Sequence, residues 1–274
     1  MRPKRVRVLP GYGLTLGYTM MVLSLMLFLP LAALVLRASS LGPKQFIAAV
    51  WTQRAQAAYL LTIGTSLAAA VIDTVLGLLL AWVLVRYEFP GKRLFDPLID
   101  LPFALPTAVA GLVYSNLYVP SGWFGQFLVP LGFQGAYSRT AIVLVLSFIG
   151  LPFVVRTVQP VLESLDADIE EAAESLGASR WQTFWRVLIP ALQPALITGF
   201  ALTFARGLGE YGSVVFVSGN MPFKTEIAAV LVVSRLEEFA YPEATAIACV
   251  LLAGSFVMLA AINGLERWSR RYEA

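Results

Sequence analysis

The chain of 274 residues has no histidine and a single cysteine, Cys249. These absences exclude a histidine-dependent catalytic triad, His or Cys zinc sites, CxxC redox chemistry and an intrachain disulfide. Charge is scarce too, at 14% of residues, where soluble domains carry about 25%. A phosphate-binding loop of the G-x-x-x-x-G-K-[ST] type is also missing, because Gly91-Lys92 has Arg86 where the upstream glycine belongs. Apolar side chains abound instead, at 58% of the chain with a mean hydropathy of +0.74. One aqueous core cannot hide that much, so the chain is expected in lipid. An intramembrane enzyme would need a nucleophile and a base within its spans, and the best candidate, Cys249, has no charged residue in its own span.

A helical crossing needs about 20 mostly apolar residues, because each backbone amide must be paired within the segment. Six stretches qualify, roughly Leu14–Leu36, Ala57–Val85, Pro97–Val119, Thr140–Val155, Ala191–Gly209 and Ala244–Asn263. The fourth is short and contains Pro152, with Arg156 placed to snorkel and lengthen it. The first follows a basic stretch, Arg2, Lys4, Arg5 and Arg7, but its apolar run exceeds the h-region of about 7–15 residues in a signal peptide, so it reads as a retained anchor. Thirteen Lys and Arg fall on the side shared by both termini and six on the other, which puts both termini in the cytoplasm. The same bias accounts for the net charge of +3 and gives no reason to invoke nucleic acid. The expected fold is an all-α polytopic membrane protein with six transmembrane helices. It divides into 1–56 (N-terminus, first helix, outer loop), 57–264 (core) and a 265–274 cytoplasmic tail.

The long cytoplasmic loop, residues 163–190, carries the densest signal. Ile169, Ala172, Ala173 and Leu176 form an i, i+3, i+4, i+7 stripe, with Asp168 as candidate N-cap, Glu171 three residues on, and Gly177 at the stop position. Ser179-Arg180-Trp181-Gln182 reads as a second capping box, followed by Trp181, Phe184, Trp185 and Leu188 on one face leading to Pro190. The hairpin has too little apolar surface to be a core. It is either a docking knob for a cytosolic partner or an amphipathic loop on the headgroups, and its acidic side disfavours an anionic leaflet.

Charges inside spans are functional candidates by default. Arg206 and Glu210 stand at i, i+4, so one helical turn brings them together, and Gly207 and Gly209 point to a bend or an end of the helix. The pair is either the outer gate of an anion path or a structural ion pair. Asp73 could pair with Arg206 or hydrogen-bond within the bundle, and it is expected off the path or protonated. Asp100 is expected to cap the segment entering Leu101-Pro102. Pro102 and Pro106 break the helix ladder, a weak pointer to a water-lined path. Gly64, Ala253, Gly254 and Ala260 are expected at close helix crossings. The outer stretch 211–243 contains Val214–Val217 and Ile227–Val233, both too short to span. It either meets a binding protein or plugs the pore.

Glu171-Ala172-Ala173, Gly177 after three residues, and Val187-Leu188-Ile189-Pro190 after nine more resemble the EAA-x3-G-x9-I-x-LP loop of permease subunits of binding-protein-dependent ABC importers. Val187 and Ile189 are conservative departures from that pattern. Val8-Leu9-Pro10-Gly11 and the runs 100–111, 152–163 and 206–212 are similar to the sulfate/thiosulfate branch of that family, with Gly219-Asn220, Lys224-Thr225-Glu226 and Tyr241-Pro242 continuing the likeness. Molybdate permeases share some of these elements, and a molybdate or tungstate permease is the alternative within the class. A secondary transporter working without ATP is the alternative outside it. The resemblance implies the type I ABC importer transmembrane fold, an inner-membrane location and ATPase coupling through Glu171, Ala172, Ala173, Gly177 and Pro190. It also implies a heterodimer with a related permease, two ATPase subunits and an extracytoplasmic sulfate- or thiosulfate-binding protein. This chain itself would take no cofactor, ATP and Mg being used by the ATPase.

Overall fold

The computed structural model describes residues 11–165 and 167–269. The basic residues Arg2, Lys4, Arg5 and Arg7, the Val8-Leu9-Pro10 motif, and Arg270 and Arg271 lie outside the described residues. In chain order the helices are α1 (Tyr12–Ser39), α2 (Pro43–Val50), α3 (Gln53–Arg86), α4 (Lys92–Ile99), α5 (Leu101–Ala104), α6 (Thr107–Tyr118), α7 (Gly125–Leu128), α8 (Arg139–Ser164) and α9 (Ala167–Ser175). There follow α10 (Arg180–Thr183), α11 (Ile189–Leu208), α12 (Val214–Val217), α13 (Ala228–Glu237) and α14 (Tyr241–Ser269). Polar caps start two of the long helices, α3 and α8: Thr52 accepts a hydrogen bond from the Ala55 amide and Ser138 one from the Ala141 amide, each at 3.1 Å.

Among the described residues, five helices are long and apolar enough to cross a bilayer: Tyr12–Ser39, Gln53–Arg86, Arg139–Ser164, Arg180–Leu208 and Tyr241–Ile262. The third expected span, Pro97–Val119, is not a single helix. Its first residues end α4, Leu105 is extended with ψ 133°, and Pro106 precedes α6. Proline removes an amide donor and pushes the residue before it out of the helical region. The twelve residues of α6 therefore rise only about 18 Å, short of a hydrocarbon core of about 30 Å. The fourth span is longer than expected, since α8 runs through both Pro152 and Pro160.

The hairpin's second helix also differs from expectation. It does not stop at Pro190 but continues through a π-helical turn, Phe184–Leu188, into α11. Pro190 lacks an amide hydrogen and crowds the carbonyl four residues earlier, and a widened turn accommodates that without a break.

The interior is built where α3, α8 and α11 pack together. Ala81, Leu84, Val154, Val155, Val158, Leu162 and Leu192 form one cluster, towards the end of the bundle near α9, and Ala69, Ile142, Val145, Ile149, Val214 and Ile227 join α3 and α8 to α12 and α13. Glycine allows the close approach. A Cβ at Gly77 would lie 2.7 Å from Val154 Cβ, one at Gly199 2.9 Å from Val154 Cα, and one at Gly207 3.0 Å from Ser66 Cβ. Gly64 and Gly254, the expected crossing glycines, have nothing within 4 Å of that position. Small residues mark a crossing only when the helix turns them toward a neighbour, and these two are not so turned. Helix α1 packs against α14, yet none of its apolar window is buried within the chain.

Candidate functional site

Helix α9 projects as a knuckle between α8 and α10. Asp168, expected as N-cap, lies inside the helix rather than before it. The stop signal is where the sequence put it. Gly177 has φ 81°, its amide bonds the Glu174 carbonyl at 2.9 Å, and the Ala178 amide bonds the Ala173 carbonyl at 3.0 Å. A left-handed residue reverses the chain here, which glycine does without steric cost. The second capping box also forms: the Gln182 amide donates to Ser179 Oγ at 3.3 Å and the Ser179 amide to Gln182 Oε1 at 2.8 Å.

The knuckle's apolar stripe is left uncovered. Leu176 is 89% exposed and Ile169 44%, Glu171 and Ala172 are exposed, and Ala173 is half-buried. Trp181 and Trp185 are exposed as well, in a run of ring contacts with Phe184. Pro190 is exposed at the start of α11. The surface is thus small side chains and aromatics around a capped turn, with Ile169, Ala172, Leu176, Trp181 and Trp185 all exposed.

Arg206 and Glu210 form the i, i+4 ion pair that the sequence implied. Helix α11 ends between them, with Gly209 as its C-cap. The Glu210 carboxylate is 2% exposed, and its Oε1 also accepts from the Ser213 amide at 2.9 Å and the Ser213 hydroxyl at 3.0 Å. A buried carboxylate is tolerated because its oxygens are taken, while Arg206 keeps about a third of its side chain exposed. The loop holding Glu210 lies against the start of α6. A Cβ at Gly111 would be 2.9 Å from Ser213 Cα, and one at Gly212 would overlap the Thr107 side chain. The break at Pro106 therefore sits beside the Arg206–Glu210 loop. Pro102, in α5, is half-buried.

Asp73 does not pair with Arg206. It is fully buried against Gly150 and Thr203, near Ser147, and among the described residues neither carboxylate oxygen has a hydrogen-bond partner of good geometry. Asp100 does not cap α5. Its carboxylate is bidentate to Arg156, at 2.9 Å from Nε and 2.7 Å from Nη2. Arg156 further donates to Asp96 Oδ1 at 2.7 Å, the Asp96 carbonyl at 2.8 Å and Gln159 Oε1 at 2.7 Å. All five guanidinium donors are used, clasping α4 to α8. Sequence reasoning missed this clasp, because Arg156 lies 60 residues from Asp96 and 56 from Asp100 in the chain. It also missed the bidentate pair of Arg54 with the buried Glu226, at 2.7 and 2.6 Å, which fastens the segment before α13 to α3. The Thr62 hydroxyl adds to that anchor by accepting from the Ala228 amide at 2.8 Å.

Residues 73–271 match the family of binding-protein-dependent transport system inner membrane components, and the chain belongs to that family. It is an inner-membrane transport component rather than an enzyme. The chain is 52% identical over 254 residues to the sulfate transport system permease protein CysT of Synechocystis sp., covering 93% of this chain and 89% of that one. It is 47% identical over 266 residues to the protein of the same name from Escherichia coli, covering 97% and 96%. The fold is shared with a bacterial ABC transporter that imports the acidic polysaccharide alginate, with TM-score 0.76, 16% identity, and 92% and 93% of the two chains covered. A bacterial alginate ABC transporter in complex with alginate pentasaccharide-bound periplasmic protein gives a TM-score of 0.75 at 18% identity, covering 94% of each chain.

Proposed function

We propose that this chain is a membrane-spanning permease subunit of an ATP-driven importer of sulfate or thiosulfate, forming half of the translocation path. What carries the reading is the exposed α9 knuckle, with the EAA spacing ending on a left-handed Gly177, in a chain about half identical to CysT permeases. Glu171, Ala172, Ala173 and Gly177 meet an ATPase subunit, and Pro190 lies where the knuckle's outgoing arm becomes α11. Because that arm is continuous with a span, a push on α9 is delivered along a rigid lever rather than absorbed in a loop.

The assembly is a heterodimer with a CysW-like permease, two CysA-like ATPases that bind ATP and Mg, and an extracytoplasmic binding protein. Both termini are cytoplasmic. The third of six crossings is made by the broken segment of α5 and α6. The chain's parts are then residues 1–56, a 57–264 permease core with its 163–190 coupling loop, and a 265–274 tail.

ATP binding closes the ATPase pair, the knuckles move, and the bundles rock to open the path outward. The path runs past the break between Pro102 and Pro106 and past Arg206, whose partly exposed guanidinium attracts a dianion while Glu210 prevents tight trapping. A dianion is costly to dehydrate, so strict selection belongs to the soluble binding protein. Asp73 and Asp100 have structural roles off that path.

The test uses the complete complex. Glu171→Lys is expected to abolish ATPase co-purification and sulfate uptake together. Uptake that survives the substitution would favour an ATP-independent carrier and refute the reading. Radiolabelled sulfate uptake competed by thiosulfate but not by molybdate is expected, and the reverse order would make the chain a molybdate or tungstate permease.

A further inference from the structure

The knuckle's own apolar stripe is exposed, so packing does not hold α9 against the bundle. What fastens it is charge. Among the described residues, one ion pair joins α9 to a span, between Arg86 at the last residue of α3 and Glu170 on α9. The Arg86 guanidinium is itself braced, with Cζ 5.9 Å from the centre of the Trp82 ring, and Trp82 meets Phe184 edge to face at 5.8 Å. Phe184 opens the π-helical turn that leads into α11. Glu170, Arg86, Trp82 and Phe184 thus connect α9, α3 and the root of α11 along one wall of an 850 Å³ cleft at the cytoplasmic end of the bundle. Among the described residues the buried Arg86 Nε has no partner, so Glu170 and the Trp82 ring together fix the direction of this guanidinium.

We propose that the Arg86–Glu170 ion pair is a strut that carries displacement of α9 into α3, making Arg86 and Glu170 positioning residues for coupling. The chain connects α9 directly only to α8 and, through α10, to α11. Helix α3 packs against both, yet without the strut it receives the motion only through side-chain contacts that can slide. With the strut in place, the three helices that build the interior are driven together. A partly exposed pair of this kind contributes little to stability, so its loss leaves assembly intact and alters transmission.

This inference rests on the reading of α9 as the ATPase-facing element, and its test separates the two. The full importer is reconstituted in vesicles with sulfate-loaded binding protein, and Arg86→Gln and Glu170→Gln are compared with the unaltered chain. In both variants the ATPase is expected to co-purify normally and to keep its basal hydrolysis. Stimulation of hydrolysis by loaded binding protein, and radiolabelled sulfate uptake, are expected to fall at least about five-fold, the lower end of coupling between distant sites. Exchanging the charges with Arg86→Glu and Glu170→Arg is expected to restore both. Unchanged stimulation in the single variants, or no recovery in the exchanged pair, would overturn the strut. Loss of the ATPase itself from Glu170→Gln would overturn it too, by making Glu170 a docking contact. Retention of the ATPase by Glu171→Lys would instead bring down the reading of α9 on which the strut rests.

Discussion

Replacing Gly77 by alanine puts a methyl carbon where the α3–α8 crossing has no space. The added Cβ would lie 2.7 Å from both Cβ and Cγ1 of the fully buried Val154, where carbon atoms at rest sit roughly 3.5–4.0 Å apart. Val154 Cβ is fixed to its backbone, so the helices must part by about an ångström, and overpacking of this kind costs about 1–3 kcal/mol. Alanine also has a higher helix propensity than glycine, by about 0.8–1.0 kcal/mol, and that gain must be removed from the comparison. Gly64 provides the control. It lies on the same helix with nothing within 4 Å of its added Cβ, so Gly64→Ala has the propensity gain without the clash. The stability gap between the two substitutions is then the crossing term alone. At about 2–4 °C per kcal/mol for chains of this order, Gly77→Ala should melt between about 2 and 12 °C below Gly64→Ala. The assay is apparent melting of the purified complex in one detergent at one heating rate, because membrane assemblies commonly unfold irreversibly. Equal melting of the two variants would refute the claim that glycine contact sets the α3–α8 distance.

Two further outcomes are expected. Glu226→Gln removes the charge from a carboxylate whose two oxygens both hold Arg54; it should cost about 1.5–3 kcal/mol and make the segment 218–227 more sensitive to protease in the purified complex, and an unchanged digestion rate would count against that anchor. Asp73→Asn keeps the shape of a buried group whose oxygens accept nothing, and a lone charge at that depth is costly. Its melting should be equal or higher with uptake within about two-fold of the parent, an insensitivity expected where no specific interaction is lost, whereas loss of uptake would assign the carboxyl a role in transport.

The readings that survived are those in which neighbours along the chain decide the physics. The α9 stop depends on Gly177 and the residues just before it, the Ser179–Gln182 box spans four residues, and the Arg206–Glu210 pair needs only one helical turn. The unbroken third span failed locally, at Leu105-Pro106, but other readings that needed change turned on what lies elsewhere in the fold. Asp100 was assigned to the helix start beside it, but Arg156, on another helix, takes both of its oxygens. Pro190 reads as the end of the 163–190 loop, but the helix runs on through a wider turn into α11, with that proline inside its first turn. Gly64 and Gly254 were as eligible for a helix crossing as Gly77, and composition cannot say which way a glycine faces.

By itself, then, the sequence determined that the chain lives in a bilayer, because backbone amides in lipid must be paired within long apolar segments. It also determined where a capped acidic knuckle interrupts them, because caps and stops are local hydrogen-bonding problems. Only the tertiary structure decided which charges meet, with Arg156 gathering Asp96 and Asp100, Arg54 holding Glu226, and Arg86 reaching Glu170. Each of those pairs joins elements distant in sequence, and the attraction between two charges depends on their separation in space and on the water excluded around them, neither of which is written in their order along the chain.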